Sequence, residues 1–259
     1  MTDLSFTDPC ILFALRRESQ PFLREFHPQQ RFPGAPCWAR FCGPAWLTVL
    51  VLETGIGQAR TEAALNWLLS KPVLGNVPYQ PRVILSAGFA GALQDGVKIG
   101  DVVLATEIGD LNGKRWPVTW PAELPAGEWR PPLQRGRVVT SGKLVSNADI
   151  KEALGKQFKA LAVDMESASV ARLCAKRDVP FGCLRAISDE VTSALSPQLV
   201  SLLSGGRVSA LKLAATLLRW PGLAPELVKL RKQTRFAAEQ LGKALGELLT
   251  LTLPFGAEL

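Results

Sequence analysis

The chain has 259 residues, of which 47% are hydrophobic and 20% are charged, and its formal net charge is +7. This composition is that of a globular protein and excludes a disordered or fibrous chain, while the length suits one large domain or two small ones. No apolar run reaches the roughly 18–20 residues of a bilayer span, and the N-terminus lacks the basic start and long apolar stretch of a secretory signal. We therefore expect a cytoplasmic enzyme or binding protein.

Short apolar strands alternate with helical stretches along the chain, which predicts an α/β fold. The predicted strands are residues 10–15, 45–52, 83–86, 101–105, 137–141, 160–163 and 181–187. The predicted helices are residues 18–26, 58–69, 150–157 and 167–177, followed by helical sequence from Pro197 to Leu249 with breaks at 205–206 and 221–225. Because strands become sparse after Pro197, we expect one domain over 1–259, with a C-terminal helical extension over 195–253.

Residues 109–137 interrupt this alternation. They hold Trp116, Trp120 and Trp129 among five prolines, and that proline density predicts an irregular loop of the length that covers a site. A structural hairpin that the tryptophans pin in place is the alternative.

Histidine and cysteine usage limits the chemistry. The chain has one histidine, His27, which excludes a multi-histidine metal site and makes any Ser-His-Asp triad depend on that residue. The five cysteines are odd in number and form no Cys-x-x-Cys pair, which indicates reduced, packed thiols. If the chain is an enzyme, we expect carboxylates to carry its chemistry, with no metal and no cofactor.

The positive charge is concentrated toward the C-terminus. From residue 201 onward there are eight basic and four acidic residues, a local charge of +4. So mild a surplus along helical sequence is typical of a solvated face, and no helix-turn-helix, zinc-finger or aromatic RNA-binding motif is present. We expect no nucleic-acid partner.

Two glycine-rich turns are predicted directly after apolar strands. They are Thr54-Gly55-Ile56-Gly57 and Gly88-Phe89-Ala90-Gly91. Glycines at such turns let backbone amides approach a ligand, and the helix after the first turn offers its positive end to an anion. Neither turn is a dinucleotide fingerprint or a triphosphate-binding loop, and simple tight turns are the alternative.

Two acidic motifs follow predicted strands. Asp164 and Glu166 flank Met165 just before a helix. If that segment is extended, both acids face one side, where a carboxylate can accept hydrogen bonds from two ribose hydroxyls. The alternative is that the acids only favour the positive helix N-terminus. Asp189 closes the last predicted strand, where α/β sheets place active sites, and a partly buried aspartate there can hold a proton as a general acid.

In their order and spacing these motifs resemble the nucleoside phosphorylase and nucleosidase superfamily, in particular its methylthioadenosine/S-adenosylhomocysteine nucleosidases. The likeness covers roughly residues 10–105 and 137–190. It rests on the segments 54–57, 86–91 with 99–103, 163–166 and 185–189. The resemblance implies one α/β domain with a twisted, mixed central sheet flanked by helices, which cleaves the N-glycosidic bond of a purine nucleoside. It also implies a homo-oligomer, expected to be a dimer.

The resemblance also assigns roles to residues. It implies that Glu18 activates a water nucleophile, that Glu166 holds the ribose hydroxyls, and that Met165 packs on the sugar. Asp189, oriented by Ser188, would protonate the leaving purine near N7. Gly88, Val145 and Asp164 complete the predicted substrate-binding set. The transition state resembles an oxocarbenium ion with negative charge moving onto the base, so a carboxylate at the sugar and a proton donor at the base stabilise its opposite ends.

Departures from the superfamily pattern affect the predicted nucleophile and the predicted base contact. Phosphorylases often carry an arginine where this chain has Ser86, which favours water over phosphate as the nucleophile. Phosphate as a co-substrate stays open, with a site predicted from Gly55, Gly57, Ser86, Arg16, Arg17 and Arg60. Nucleosidases carry a phenylalanine that stacks on adenine where this chain has Leu144 and Val145, so base recognition is expected to differ.

The segment at about 195–220 and the wording of residues 162–167 resemble the hopanoid-associated phosphorylase branch, which is linked to removing adenine from adenosylhopane. One face of a predicted helix carries Val208, Leu211, Ala215 and Leu218, bordered by Arg207, Lys212 and Arg219. Such a basic amphipathic helix suits a lipid nucleoside and peripheral contact with the inner membrane surface. An ordinary packing helix or oligomer face is the alternative. A 5′-thioadenosine nucleosidase, a non-catalytic nucleoside-binding protein and a membrane-surface protein are the competing functions.

Overall fold

The structure, a computed structural model, describes residues 9–43, 47–74, 77–118, 120, 129, 131–204, 216 and 219–252. The strands in these ranges are β1 (Pro9–Phe13), β2 (Pro28–Arg31), β3 (Trp38–Cys42), β4 (Val49–Glu53), β5 (Val73–Leu74), β6 (Val77–Pro78), β7 (Val83–Ala92), β8 (Val102–Asp110), β9 (Arg115–Pro117), β10 (Leu133–Thr140), β11 (Ala160–Asp164) and β12 (Phe181–Asp189). The helices are α1 (Arg16–Glu25), α2 (Gln58–Leu69), α3 (Ala148–Phe158), α4 (Ser167–Lys176), α5 (Pro197–Ser204) and α6 (Leu223–Thr252).

One mixed sheet organises the molecule and confirms the predicted α/β fold. Its strand order is β11-β10-β8-β12-β7-β1-β4-β3-β2, with β9 paired to β8. Within this order, β1 is parallel to both β4 and β7, and β12 is parallel to β7. Strand β11 also pairs antiparallel with β7 through Ala162 and Val163, so that five of the strands close into a ring. The carboxyl ends of β1, β4 and β7 therefore lie at one edge of the sheet, together with the end of β12.

The glycine-rich segment after Ser86 is part of this sheet. Strand β7 continues through Ala92, where β12 pairs with it as far as Gly91 and β11 pairs with Gly91 and Ala92. The predicted turn at 88–91 is therefore wrong. These glycines leave room for side chains of neighbouring elements, since a Cβ at Gly91 would lie 2.9 Å from Oδ2 of Asp189.

The structure adds one hairpin that was not predicted and corrects one further prediction. Strands β2 and β3 form an antiparallel hairpin, which the sequence did not indicate because every residue of β2 is exposed and gives no apolar alternation. Irregular structure throughout 109–137 is also wrong, because β8 extends to Asp110, β9 pairs with it, and β10 begins at Leu133. Residues 119, 121–128 and 130, on which a lid would depend, lie outside the described residues.

The C-terminal helix α6 belongs to the hydrophobic core. The buried face of its second half consists of Ala237, Ala238, Leu241, Ala244, Leu245, Leu248 and Leu249. It packs with α1 and with one side of the sheet, and a Cβ at Gly242 would lie 3.0 Å from the backbone nitrogen of Phe22. The predicted amphipathic face at 208–218 lies outside the described residues. Within the described ranges, no helix combines the length and hydropathy that crossing a membrane requires.

Candidate active site

A narrow cavity lies where β1 and β4 end, beside the middle of β7. Its polar lining residues are Glu18, Thr54, Thr61, Ser86, Glu166 and Arg185. The carboxyl ends of parallel strands are where α/β sheets bind ligands, and the described fold brings two of the predicted acids together there. The polar residues of the cavity are up to 167 positions apart in the chain, from Glu18 to Arg185, so long-range topology, rather than a local motif, creates it.

Glu18 is buried in the first turn of α1. Its Oε2 accepts a hydrogen bond from the backbone nitrogen of Leu15 at 2.7 Å, and its Oε1 accepts one from Phe89 at 2.9 Å. Burial raises the pKa of this carboxyl, while the two backbone hydrogen bonds and the charge of Arg185 oppose that rise. A fixed carboxylate with a raised pKa is suited to accept a proton.

Gly88 gives Glu18 its place against β7. A Cβ at position 88 would lie 2.9 Å from Oε1 of Glu18 and 3.2 Å from its Cδ. We expect Gly88→Ala to push the carboxylate off the Phe89 amide and lower turnover of the substrate at least about tenfold, the equivalent of about 1.4 kcal/mol. Steady-state kinetics with a thermal unfolding scan test this. Gly222→Ala is the matched control, because a Cβ there meets no atom within 4 Å, and equal activity of the two variants would contradict the expectation.

Glu166 lies in the bend between β11 and α4. Its Oε1 accepts a hydrogen bond from the backbone nitrogen of Gly57 at 2.8 Å, and Gly57, with φ of 94°, caps α2. The sequence predicted that the positive end of α2 faces a ligand anion. In the structure it is directed at the carboxylate of Glu166. Among the described residues, Oε2 of Glu166 has no protein partner.

The pKa of Glu166 is raised to about 7, first by burial and then by the negative charges of Asp164 and Glu18. The Gly57 hydrogen bond and Arg185 act in the opposite direction. Near neutral pH this side chain is therefore present in both protonation states, and the charged state is the one that accepts hydrogen bonds from two hydroxyls.

Replacing Glu166 with glutamine is expected to stabilise the fold at high pH. Because the folded-state pKa of about 7 exceeds the ordinary value of 4.5, the folded protein binds more protons than the unfolded chain between these values, and its stability falls as the pH rises. Glutamine keeps an acceptor for the Gly57 amide and removes this fall. We expect a gain in unfolding free energy of about 2 kcal/mol at pH 8 that disappears toward pH 5.

Urea unfolding from pH 5 to pH 8 measures this gain. The matched control is Glu25→Gln, at an exposed position on α1. Parallel pH profiles for the wild type and Glu166→Gln would contradict the prediction.

Arg185 is a site residue that the sequence reasoning missed. It is buried in β12, and its guanidinium makes four hydrogen bonds. Their acceptors are Oδ2 of Asp164 at 2.8 Å, Oγ of Ser86 and Oγ of Ser167 both at 2.7 Å, and the carbonyl of Leu184 at 3.0 Å. A charged residue inside an otherwise apolar strand was the signal that could have found it, because buried charges are paired.

Asp164, a predicted substrate-binding residue, contacts Arg185 and is not among the residues that line the cavity. Its Oδ2 accepts hydrogen bonds from Arg185 and from the backbone and hydroxyl of Ser167, and its Oδ1 accepts one from Thr140 at 2.7 Å. Its side chain is fully buried. With both oxygens committed to protein donors, Asp164 holds the guanidinium in place beside the cavity.

Asp189 ends β12 next to an unexpected lysine. The hydroxyl of Ser188 donates to its Oδ1 at 2.6 Å, which is the orientation that the resemblance implies. The ammonium of Lys151, on α3, contacts its Oδ2 and also donates to the carbonyls of Glu190 at 2.9 Å and Ser193 at 3.1 Å. The sequence did not indicate Lys151, because a lysine in a helix normally lies on the solvated face.

Asp189 is not among the residues that line the cavity of Glu18 and Glu166. Glu18 and Asp189 nevertheless both contact strand β7. Glu18 lies against Gly88 and Asp189 lies against Gly91, and three residues of strand span roughly 10 Å. Glu18 and Asp189 therefore contact β7 three residues apart, at Gly88 and at Gly91.

The remaining predicted residues are more dispersed. Met165 is half-buried in the bend before α4, and Val145 packs on an apolar cluster with Leu93 and Val163. Arg16, Arg17 and Arg60 are exposed and do not line the cavity, although the Arg60 side chain lies against Gly55. The described residues thus do not gather the predicted phosphate site. Within these same ranges, no three His, Cys, Asp or Glu side chains are grouped to hold a metal ion.

Comparison with known proteins identifies the relatives of this chain. The sequence profile described as the Phosphorylase superfamily matches residues 37–126 and 121–218. A 5′-methylthioadenosine/S-adenosylhomocysteine nucleosidase of Bacillus cereus strain G9842 is 27% identical over 163 residues, which cover 54% of this chain and 68% of the relative. The enzyme of the same name from Staphylococcus aureus strain JH9 is 26% identical over 162 residues, with the same coverage.

Solved structures share the fold. A Helicobacter pylori MTAN mutant with 5′-methylthioadenosine in its active site has a TM-score of 0.70 and 22% identity, covering 94% of this chain and 98% of that one. The futalosine hydrolase of Helicobacter pylori has a TM-score of 0.69 and 21% identity, covering 95% and 98%. At 22% and 21% identity, these two likenesses show a shared fold and nothing beyond it.

Proposed function

Because the chain belongs to the phosphorylase superfamily, we propose that it is an enzyme that cleaves the N-glycosidic bond between ribose and a purine base, without a cofactor. The observation that carries the proposal is the pair of carboxyls with raised pKa values, Glu18 and Glu166, on one cavity beside Arg185. The names of the nucleosidase relatives favour an adenine nucleoside as the substrate.

The sugar is proposed to bind at Glu166. Its Oε1 is fixed by the Gly57 amide, so Oε2 can accept the hydrogen bonds of the ribose 2′- and 3′-hydroxyls. In the ionised state this carboxylate also stabilises the positive charge that develops on the sugar ring as the glycosidic bond breaks. Met165, in the same bend, would pack on the sugar.

Water is proposed as the nucleophile. A phosphate dianion in the cavity would face two carboxyl groups, and four hydrogen bonds to protein acceptors already engage the Arg185 guanidinium. A water molecule requires no positive partner, and Glu18 can take its proton as the oxygen attacks C1′. The exposed positions of Arg16 and Arg17 support the same choice.

The base is proposed to lie toward Asp189. The offset of roughly 10 Å between Gly88 and Gly91 along β7 suits a ligand that extends from sugar to purine. Asp189 would deliver a proton to N7, so that the purine leaves as a neutral molecule, and Ser188 fixes the carboxyl orientation through its 2.6 Å hydrogen bond. Val145, near the end of this region, would contact the base in place of a stacking ring.

A lipophilic 5′ substituent, as in adenosylhopane, is the finer part of the proposal. Beside its resemblance to the hopanoid-associated branch, the chain exposes Trp220 and Val228 at 46% and 54%, next to basic residues of α6 such as Lys229 and Lys232. Exposed apolar side chains among basic ones suit peripheral contact with an anionic membrane by a cytoplasmic protein. Co-sedimentation with anionic vesicles tests this contact, and light scattering tests the proposed homodimer.

A release assay tests the function. The purified protein is incubated with adenosine, 5′-methylthioadenosine, S-adenosylhomocysteine, a 5′-alkyl adenosine and uridine, each with and without inorganic phosphate. We expect adenine release that does not require phosphate. Phosphate-dependent release with formation of a ribose 1-phosphate would instead identify a phosphorylase. Binding of nucleosides without any base release would identify a non-catalytic binding protein.

A further inference from the structure

Lys151 is a fully buried cation that the proposed mechanism does not yet use. Its side chain is 0% exposed, and its ammonium makes contacts with Asp189 and with the carbonyls of Glu190 and Ser193. We propose that Lys151 is the positioning residue of Asp189, and that it supplies the proton which Asp189 passes to the leaving purine. This inference rests on the proposed function and adds a residue to it.

The environment of Lys151 requires an explanation. Burying an ammonium is costly unless it is paired, and each of its three N–H donors has an acceptor in the protein. Asp189 supplies the negative charge among these acceptors, while the other two are neutral carbonyls. The ammonium therefore holds the Asp189 carboxylate at a fixed position, and the Ser188 hydroxyl fixes the other carboxylate oxygen.

The contacts of helix α3 fix the direction of the Lys151 side chain. The side chain of Asn147 caps the helix by accepting from the Ile150 amide at 3.0 Å, and its carbonyl accepts from the Lys151 amide at 3.1 Å. One turn later, Gly155 lets the helix lie directly on the backbone of Leu93, in contact with the carbonyl oxygen there. These two contacts direct the side chain of Lys151 into the protein, toward the end of β12.

The Lys151 ammonium first gives a proton to the Asp189 carboxylate. The C1′–N9 bond then breaks with its electron pair remaining on the purine, and Asp189 passes that proton to N7. The lysine is left as a neutral amine and Asp189 returns to a carboxylate. At C1′ the water oxygen forms the new bond, and its proton goes to Glu18. Exchange with solvent through Asp189, whose side chain is 22% exposed, then restores the ammonium.

A substrate whose leaving group needs no proton distinguishes proton donation through Lys151 from a purely structural role of this residue. Two ribosides with the same 5′ group are compared, one carrying adenine and one carrying 4-nitrophenol, which departs as a stable anion without a proton. We expect Lys151→Met to lower adenine release about a hundredfold and nitrophenol release by less than about threefold, because only the adenine needs a proton donor. Lys156→Met, at an exposed lysine of the same helix, should change neither rate.

Equal losses on both ribosides would overturn the proposal, as would near-normal adenine release by Lys151→Met. Wild-type protein that releases no base would instead contradict the proposed function. If Lys151→Met does not fold, Lys151→Gln gives the same comparison, because its amide can donate a hydrogen bond to Asp189 but carries no transferable proton. The same loss confined to adenine is expected.

Discussion

Replacing Glu18 with glutamine is expected to lower kcat for adenine release about 10²–10⁴-fold, the range that a general base contributes. The side chain of Glu18 is the carboxyl fixed by backbone amides from both the end of β1 and β7. Glutamine has the same shape and keeps an oxygen for the Phe89 amide, but it cannot take the proton of the attacking water. Substrate affinity should change little, because the sugar is proposed to bind at Glu166.

The Glu18→Gln experiment needs a control for altered charge on α1. Glu25→Gln removes one carboxylate from an exposed position on the same helix and should leave kcat unchanged. Turnover and KM are measured together with equilibrium binding of a nucleoside analogue. A Glu18→Gln enzyme that keeps kcat within a few-fold of the wild type would show that another group activates the nucleophile.

The second large effect is expected at the other end of the site. Asp189→Asn should lower adenine release about 10²–10⁴-fold, because an amide cannot donate a proton to N7 as a carboxyl can. Its carbonyl oxygen can still accept a hydrogen bond from Lys151 or Ser188, but the buried ammonium loses its negative partner, so we expect a folded protein of lower stability. Circular dichroism and single-turnover release of adenine measure the two properties separately.

Two further variants test whether the loss in Asp189→Asn comes from the proton path. Asp149→Asn, at an exposed aspartate in the first turn of α3, should be neutral for activity. In the double variant with Lys151→Met, adenine release should fall no further than in Asp189→Asn alone, since both changes interrupt one proton path. Near-normal turnover by Asp189→Asn would remove the general acid from the proposed mechanism.

Local sequence patterns predicted the elements that have one buried face. Helix α2 begins and ends where its pattern of apolar residues placed it, at Gln58 and Leu69. The position of Glu18 in the first turn of α1 likewise follows from the strand that precedes it. In both cases residues that are close in the sequence are also close in the structure, so the periodicity of the side chains is sufficient to predict the element.

The parts that the sequence did not predict depend on distant partners. Arg185 is fixed by Asp164, which lies 21 residues away, and Lys151 meets Asp189 across 38 residues. Nothing near either basic residue reveals that it is paired inside the protein. The same reason explains Gly88 and Gly91, which looked like turn residues although they leave space in a strand for Glu18 and Asp189.

Asp164 shows how a small change of backbone direction separates two similar acids. An extended segment would place it beside Glu166, but β11 ends at Asp164 and the chain bends before α4. Asp164 consequently accepts hydrogen bonds from Arg185 and Ser167, whereas Glu166 lies on the cavity beside Gly57. Which acid lines the cavity is decided by this bend rather than by residue type.

The most direct measurement is a crystal structure of the protein with a nucleoside analogue whose glycosidic bond cannot be cleaved. We expect both ribose hydroxyl oxygens within about 3.2 Å of Glu166, and N7 of the base within about 3.2 Å of an Asp189 oxygen. An analogue that binds elsewhere, or one whose base does not reach Asp189 while its sugar is on Glu166, would contradict this expectation.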